Sequence, residues 1–232
     1  MSVQLDKTAA QSHADADHSG IRHPERMIGL YWLISIAVGM FVLRDWLTTW
    51  NLSAALNRPW LLIYLCASLI LSQSLYILVA RHGERTIHWG ALIIFALGNG
   101  FAETLAFATV YKVGSLIGSA LISLFAPGFA AAAGFIVGVI FFSIYGGLIH
   151  GLFWMRMLPP HFDDDPRSQS IRKLRPIAEV VLVVGWCLCL ASNPPDLWTV
   201  IFFHTLVDVG LMILVRPPIF GAQSAERQPI SS

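Results

Sequence analysis

Six long apolar runs, at about Met27–Val42, Trp60–Ala80, Ile87–Tyr111, Ala131–Met157, Ile177–Ala191 and Leu197–Val215, constrain this chain more than any other feature. A hydrocarbon layer about 30 Å thick takes about 20 helical residues to cross and offers no partner to an open backbone amide. Such runs fold as membrane-crossing α-helices. Composition agrees: 56% of residues are hydrophobic and 12% charged, and the mean hydropathy is +0.65. That leaves too few charges to clothe a soluble domain of 232 residues. The expected fold class is all-α, a polytopic transmembrane helical bundle. The expected setting is a multi-pass integral membrane protein of a cell or internal membrane, with the lipid bilayer as its first partner.

The residues flanking this core are polar. Residues 1–26 carry Asp6, Lys7, His13, Asp15, Asp17, His18 and His23 with almost no large apolar side chains, and are expected to form a disordered N-terminal tail. The transmembrane domain then covers 27–216 and a C-terminal tail 217–232. A formal net charge of +1 and the absence of a Lys/Arg stripe argue against a nucleic-acid partner. Cys66, Cys187 and Cys189 all fall in apolar stretches, where a thiol behaves as a small hydrophobe.

Two topologies fit. Six spans with both ends cytoplasmic leave only Arg44, Arg58 and Lys112 outside, as the positive-inside rule favours. A seventh element, Val113–Ala126, is short for a span and ends at Pro127–Gly128, so it reads as a short or re-entrant helix. With seven spans, Glu103, His150 and Asp208 fall at one depth, which favours seven if they form one site. The small-residue spacings Gly114-x-x-x-Gly118 and Gly134-x-x-x-Gly138 suit close helix packing.

Glu103, His150, His204 and Asp208 lie deep inside the apolar runs. A charged group in a helix centre costs a few kcal/mol on insertion scales, so these residues mark the candidate site. A carboxylate and two imidazoles from three helices support two chemistries. They can hold a divalent metal, with Glu103, His150 and His204 as ligands, or activate a water, with Glu103 as base and the histidines polarising. Asp208 is one turn from His204, and Asn99 one turn before Glu103, so both are placed to orient the site. Two membrane histidines also suit a haem or a chlorophyll-type pigment as axial ligands.

The order Glu, then His, then His-x-x-x-Asp resembles the CAAX-protease and bacteriocin-processing family of intramembrane proteases. That family carries Glu-Glu-x-x-x-Arg, Phe-x-x-x-His and His-x-x-x-Asn/Asp motifs. Here Ala102–Glu103, Gly147-Leu-Ile-His150 and His204-Thr-Leu-Val-Asp208 stand at those places, over about Gly98 to Val215. The resemblance implies a helical membrane hydrolase with Glu103, His150, His204 and Asp208 at a peptidase site. It also implies a membrane-protein or prenylated peptide substrate. The pattern departs at Ala102, at Phe107 in the arginine place, and at Gly146 in the phenylalanine place. The alternative is a catalytically inactive relative that binds a protein, a lipid, or a pigment or haem.

Overall fold

The computed structural model describes residues 24–79, 86–157, 165–217 and 219–220. The expected N-terminal tail falls almost wholly on residues 1–23, and most of the C-terminal tail on 221–232, outside the described residues. Among those described, regular structure is entirely helical. Helix α1 is Pro24–Val42 and is followed by two short helices, α2 (Arg44–Thr48) and α3 (Ser53–Leu56). Helix α4 is Pro59–Val79 and α5 is Trp89–Ser123. A 3-10 turn at Pro127–Phe129 leads into α6 (Ala130–Ser143), which continues through a π-helical segment, Ile144–His150, into α7 (Gly151–Met157). Then come α8 (Pro166–Arg172), α9 (Arg175–Leu190) and α10 (Leu197–Gly210), which ends in a second π segment, Leu211–Val215.

Among the described residues, five stretches are long and apolar enough to cross a membrane: Pro24–Val42, Pro59–Val79, Trp89–Ser123, Pro127–Trp154 and Leu197–Val215. The protein is a multi-pass integral membrane bundle. Helix α9 has 16 residues, about 24 Å at the usual rise, short of a standard span. It nevertheless traverses the bundle beside α4. The Tyr64 hydroxyl donates to the Val181 carbonyl at 2.8 Å, and Asn51, at the far end, donates to the Pro194 carbonyl at 2.7 Å. Counted with the five longer stretches, α9 gives the arrangement of a six-span bundle among the described residues. Arg26, Arg172, Lys173, Arg175 and Arg216 flank the helix ends that the positive-inside rule expects on the cytoplasmic side.

Residues 113–123 are no separate or re-entrant helix but the last third of α5, and the chain reverses at the turn around Pro127. This also removes the depth mismatch that had favoured seven spans. With α5 running on to Ser123 rather than stopping near Tyr111, Glu103 falls in its first half, level with His150 on the returning helix.

Helix α5 is the axis of the fold, with 72% of its apolar window buried, against 17% for α1 and 22% for α4. It packs against α1, α6 and α10. The outer helices turn Leu33, Phe41, Ile63 and Ile70 outward, a surface that suits hydrocarbon rather than water. The α5–α6 pair is an antiparallel hairpin closed by small residues. A Cβ on Gly118 would lie 2.7 Å from the Ala133 carbonyl oxygen, and one on Gly138 would lie 2.7 Å from the Tyr111 ring. The two Gly-x-x-x-Gly spacings thus face each other, which lets the backbones approach and fixes the register. Successive pairs up the hairpin are Tyr111 with Gly138, Phe107 with Tyr145, and Glu103 with His150.

Helix ends are set by proline and side-chain caps. Asp165 Oδ1 accepts from the Arg167 and Ser168 amides ahead of Pro166. Asp196 Oδ1 accepts from the Thr199 amide and Oδ2 from its hydroxyl, starting α10.

Candidate functional site

The site is assembled from four passes. Helix α5 supplies Asn99, Glu103 and Thr104. The first π segment ends on His150, α7 supplies Trp154, α10 supplies His204 and Asp208, and α1 supplies Trp32. What brings α10 close is again a glycine: a Cβ on Gly100 would lie 2.8 Å from the Thr205 Cα. On the other flank the wider π turn, a form often found at functional positions, ends on His150.

Glu103 is 1% exposed, and both of its oxygens are held. The Trp154 indole N–H donates to Oε1 at 2.7 Å, and the Asn99 amide donates to Oε2 at 2.7 Å. The same Asn99 nitrogen donates to Asp208 Oδ2 at 3.2 Å. Asn99 Oδ1 in turn accepts from the Trp32 indole at 3.0 Å, which fixes the orientation of the amide. The two imidazoles flank the carboxylate. His150 Nδ1 lies 3.2 Å from Glu103 Oε1, yet without the alignment of a hydrogen bond, so that buried nitrogen has no hydrogen-bond partner. His204 Nε2 lies 3.5 Å from Glu103 Oε2 and 3.7 Å from Asp208 Oδ2. Its other ring nitrogen, Nδ1, meets the Thr104 hydroxyl at 2.9 Å.

Aromatic rings fill the remaining space. Phe107 stacks on His204 with centroids 5.6 Å apart and meets His150 edge-on at 5.0 Å. Trp186 covers another side of His204 at 4.9 Å. A cavity of about 140 Å³, lined by Tyr31, Tyr145, Ile149, His150 and Phe153, opens beside His150. It has room for several waters. His150 is the most exposed member of the cluster, its side chain 19% exposed against 6% for His204.

All five residues expected from the sequence, Asn99, Glu103, His150, His204 and Asp208, therefore converge. Sequence reasoning missed Trp32, Thr104, Phe107, Trp154 and Trp186. Trp154 was findable, because it stands one turn beyond His150 on the same face. Phe107, one turn beyond Glu103, was read only as a missing arginine. Trp32 and Trp186 lie on helices that no local pattern connects to the site.

The described residues bring no three His, Cys, Asp or Glu side chains into metal-holding geometry. Both Glu103 oxygens already accept N–H donors, so no step below runs through a metal. The carboxylate stands within 3.2–3.5 Å of both histidines and Phe107 packs on both rings, which leaves no gap between them for a planar macrocycle.

No family model, curated protein or solved structure matches the chain. The class that fold and site define is a multi-pass helical membrane protein with a buried cluster of two carboxylates and two imidazoles.

Proposed function

We propose that the chain is an intramembrane endopeptidase of the glutamate type, similar to the CAAX-protease and bacteriocin-processing family. The observation that carries this reading is the clamp on Glu103. Two N–H donors hold a fully buried carboxylate between imidazoles from opposing helices, next to a cavity large enough for water. Fixing a carboxylate in this way costs no reorganisation at the moment of reaction.

In this mechanism a water in the cavity approaches His150, whose Nδ1 has no hydrogen-bond partner, and gives a proton to Glu103 as its oxygen attacks the scissile carbonyl. Glu103 is the base, and His150 steers the water and steadies the developing oxyanion. His204 and Asp208 stand on the far side of the carboxylate. Phe107, packed on both imidazoles, occupies the place of the family's arginine, so charge stabilisation rests on the histidines. The substrate class that fits is a membrane-borne peptide, either a transmembrane segment or a prenylated peptide.

The second reading is a non-catalytic relative that binds a protein or lipid, and the apolar packing of Phe107 against both histidines favours it. Incubating the purified chain in nanodiscs with prenylated and transmembrane peptides in ¹⁸O-water separates the two. Cleavage that places ¹⁸O in the new carboxyl group, and that vanishes in Glu103→Gln and His150→Ala, supports the peptidase. Peptide retention without any cleavage by the wild type supports the binding protein.

A further inference from the structure

Hydrogen-bond accounting around His204 leaves a proton to be placed. The Thr104 hydroxyl has one hydrogen, and it donates that hydrogen to the Gly100 carbonyl at 2.6 Å, one turn back along α5. Its contact with His204 Nδ1 at 2.9 Å can then only be one in which Nδ1–H donates to the Thr104 oxygen. Nδ1 therefore carries a hydrogen, and a neutral ring presents a bare lone pair at Nε2. That Nε2 faces two carboxylates, Glu103 Oε2 at 3.5 Å and Asp208 Oδ2 at 3.7 Å. A lone pair facing two carboxylates, with His204, Glu103 and Asp208 each 5% exposed or less, is electrostatically untenable.

We infer that His204 and Asp208 hold a resident proton, shared between Nε2 and the Asp208 carboxyl, with Thr104 fixing the ring tautomer that makes it necessary. The donors already on the two acids decide between them. Glu103 accepts Trp154 on one oxygen and Asn99 on the other, both at 2.7 Å, whereas Asn99 reaches Asp208 only at 3.2 Å. Glu103 is thus the better satisfied as a carboxylate, and the proton belongs with Asp208 and His204. The other titratable groups in electrostatic reach are His150, Tyr31 and Tyr145 on the cavity side, Tyr76 towards Asp208, and the paired Arg175 and Glu179, which act on Tyr76, Arg175 also acting on His150.

The role of this proton rests on the peptidase reading. Water gives one proton to Glu103 as its oxygen bonds to the carbonyl carbon. When the carbon–nitrogen bond breaks, Glu103, which stands between the pair and the cavity, hands the captured proton to the amine nitrogen and is again a carboxylate. The resident proton stays with His204 and Asp208, so the cluster returns to its starting charge. Glu103 thus serves as base and then as acid on the cavity side, and the His204–Asp208 proton offsets the charge of the second carboxylate behind it.

The test does not depend on turnover. The full chain in nanodiscs, at neutral pH and without substrate, is examined by infrared difference spectroscopy after H/D exchange and by ¹⁵N NMR of labelled histidine. The expected result is either a deuterium-sensitive carboxylic-acid carbonyl band that Asp208→Asn removes, or a His204 ring protonated on both nitrogens. Nδ1–H should be present in both cases and lost as the preferred tautomer in Thr104→Val. A neutral His204 protonated on Nε2 alone, with no protonated carboxyl, overturns the inference. So does elemental analysis showing a stoichiometric divalent metal in the proton's place. The wild-type spectra decide the matter even if a variant fails to fold. A resident proton in a chain that cleaves nothing would refute the peptidase and leave the proton site standing.

Discussion

Asn99 carries more of the site than its short neutral side chain suggests. Its nitrogen ties two carboxylates on different helices together, and its oxygen is claimed by Trp32, so no other orientation satisfies its partners. Replacing it by Asp puts a third carboxylate against Glu103 and Asp208, and removing one partner of a buried polar network costs roughly 1–3 kcal/mol before any charge repulsion. Asn99→Asp should therefore lower the melting temperature in detergent, whereas Trp32→Phe, which only frees the amide, should cost less. A melting series in which the two variants behave alike would remove the bridging role from Asn99. Glu103→Gln sets an amide N–H₂ against either Trp154 or Asn99, so it should lose about 1–3 kcal/mol as well as any cleavage. Its activity must be read beside its unfolding curve. Away from the membrane interior, Asp45 accepts a hydrogen bond from Lys112 at 2.8 Å, and this contact holds its carboxyl below the usual value of 3.8. A carboxyl depressed on folding stabilises the fold above its unfolded pKa and loses that contribution as pH falls through the folded one. Below about pH 4 the α2–α5 link should weaken by a few tenths of a kcal/mol, since Asp45 is largely exposed. Asp45→Asn should abolish this part of the acid sensitivity and leave neutral-pH stability nearly unchanged.

Among the elements, the α5–α6 hairpin and the α5–α10 contact do different work. The hairpin register rests on Gly114, Gly118, Gly134 and Gly138, each meeting atoms of the opposite helix well inside normal Cβ contact. Gly118→Val forces the helices apart next to the Ala133 carbonyl, at a cost of about 1–3 kcal/mol. The loss should appear as earlier unfolding rather than as a specific defect at Glu103. Gly100 is different because the backbone of α10 lies against it, one residue from His204. Gly100→Ala should shift His204 and Asp208 away from Glu103 and, under the peptidase proposal, cut cleavage about tenfold or more, although it touches no site side chain. Folded, fully active Gly100→Ala protein would show that the α10 spacing is not critical. The π segments add the same kind of control, because the first one ends on His150 and so sets where that ring enters the bundle.

For the molecule as a whole, counting α9 as a crossing beside the five long apolar stretches predicts that both ends of the transmembrane domain lie on one side of the bilayer. The α2–α3 region, the turn at Pro127 and the loop before Asp196 fall on the other. Single cysteines at the exposed Asn57 and Lys173, placed in a background lacking Cys66, Cys187 and Cys189, should react with an impermeant maleimide from opposite faces of sealed vesicles. Labelling of both from one face would break the six-pass arrangement. The central helix is enclosed around Glu103 and turns Leu97, Leu116 and Leu121 outward only towards its ends, while the outer helices expose Leu and Ile along most of their length. The burial of Glu103, His204 and Asp208, with His150 at the cavity beside them, is tolerable only because every one of the four finds a polar neighbour at the axis.

The sequence alone determined that the chain crosses a membrane as helices, because apolar length and lipid's lack of hydrogen-bond partners admit nothing else. It also singled out Asn99, Glu103, His150, His204 and Asp208, because ionisable and amide groups are costly in an apolar run and stand out against it. It left six and seven spans open. Hydropathy gives no sign of where α5 ends, and Val113–Ala126 is as apolar as the span before it. Only the tertiary structure decided that these residues continue one long helix, that the two glycine spacings face each other, and that Trp32, Thr104, Phe107, Trp154 and Trp186 close around the acids. Those are contacts between helices distant in the chain. They are set by backbone approach and side-chain shape, which local periodicity does not encode.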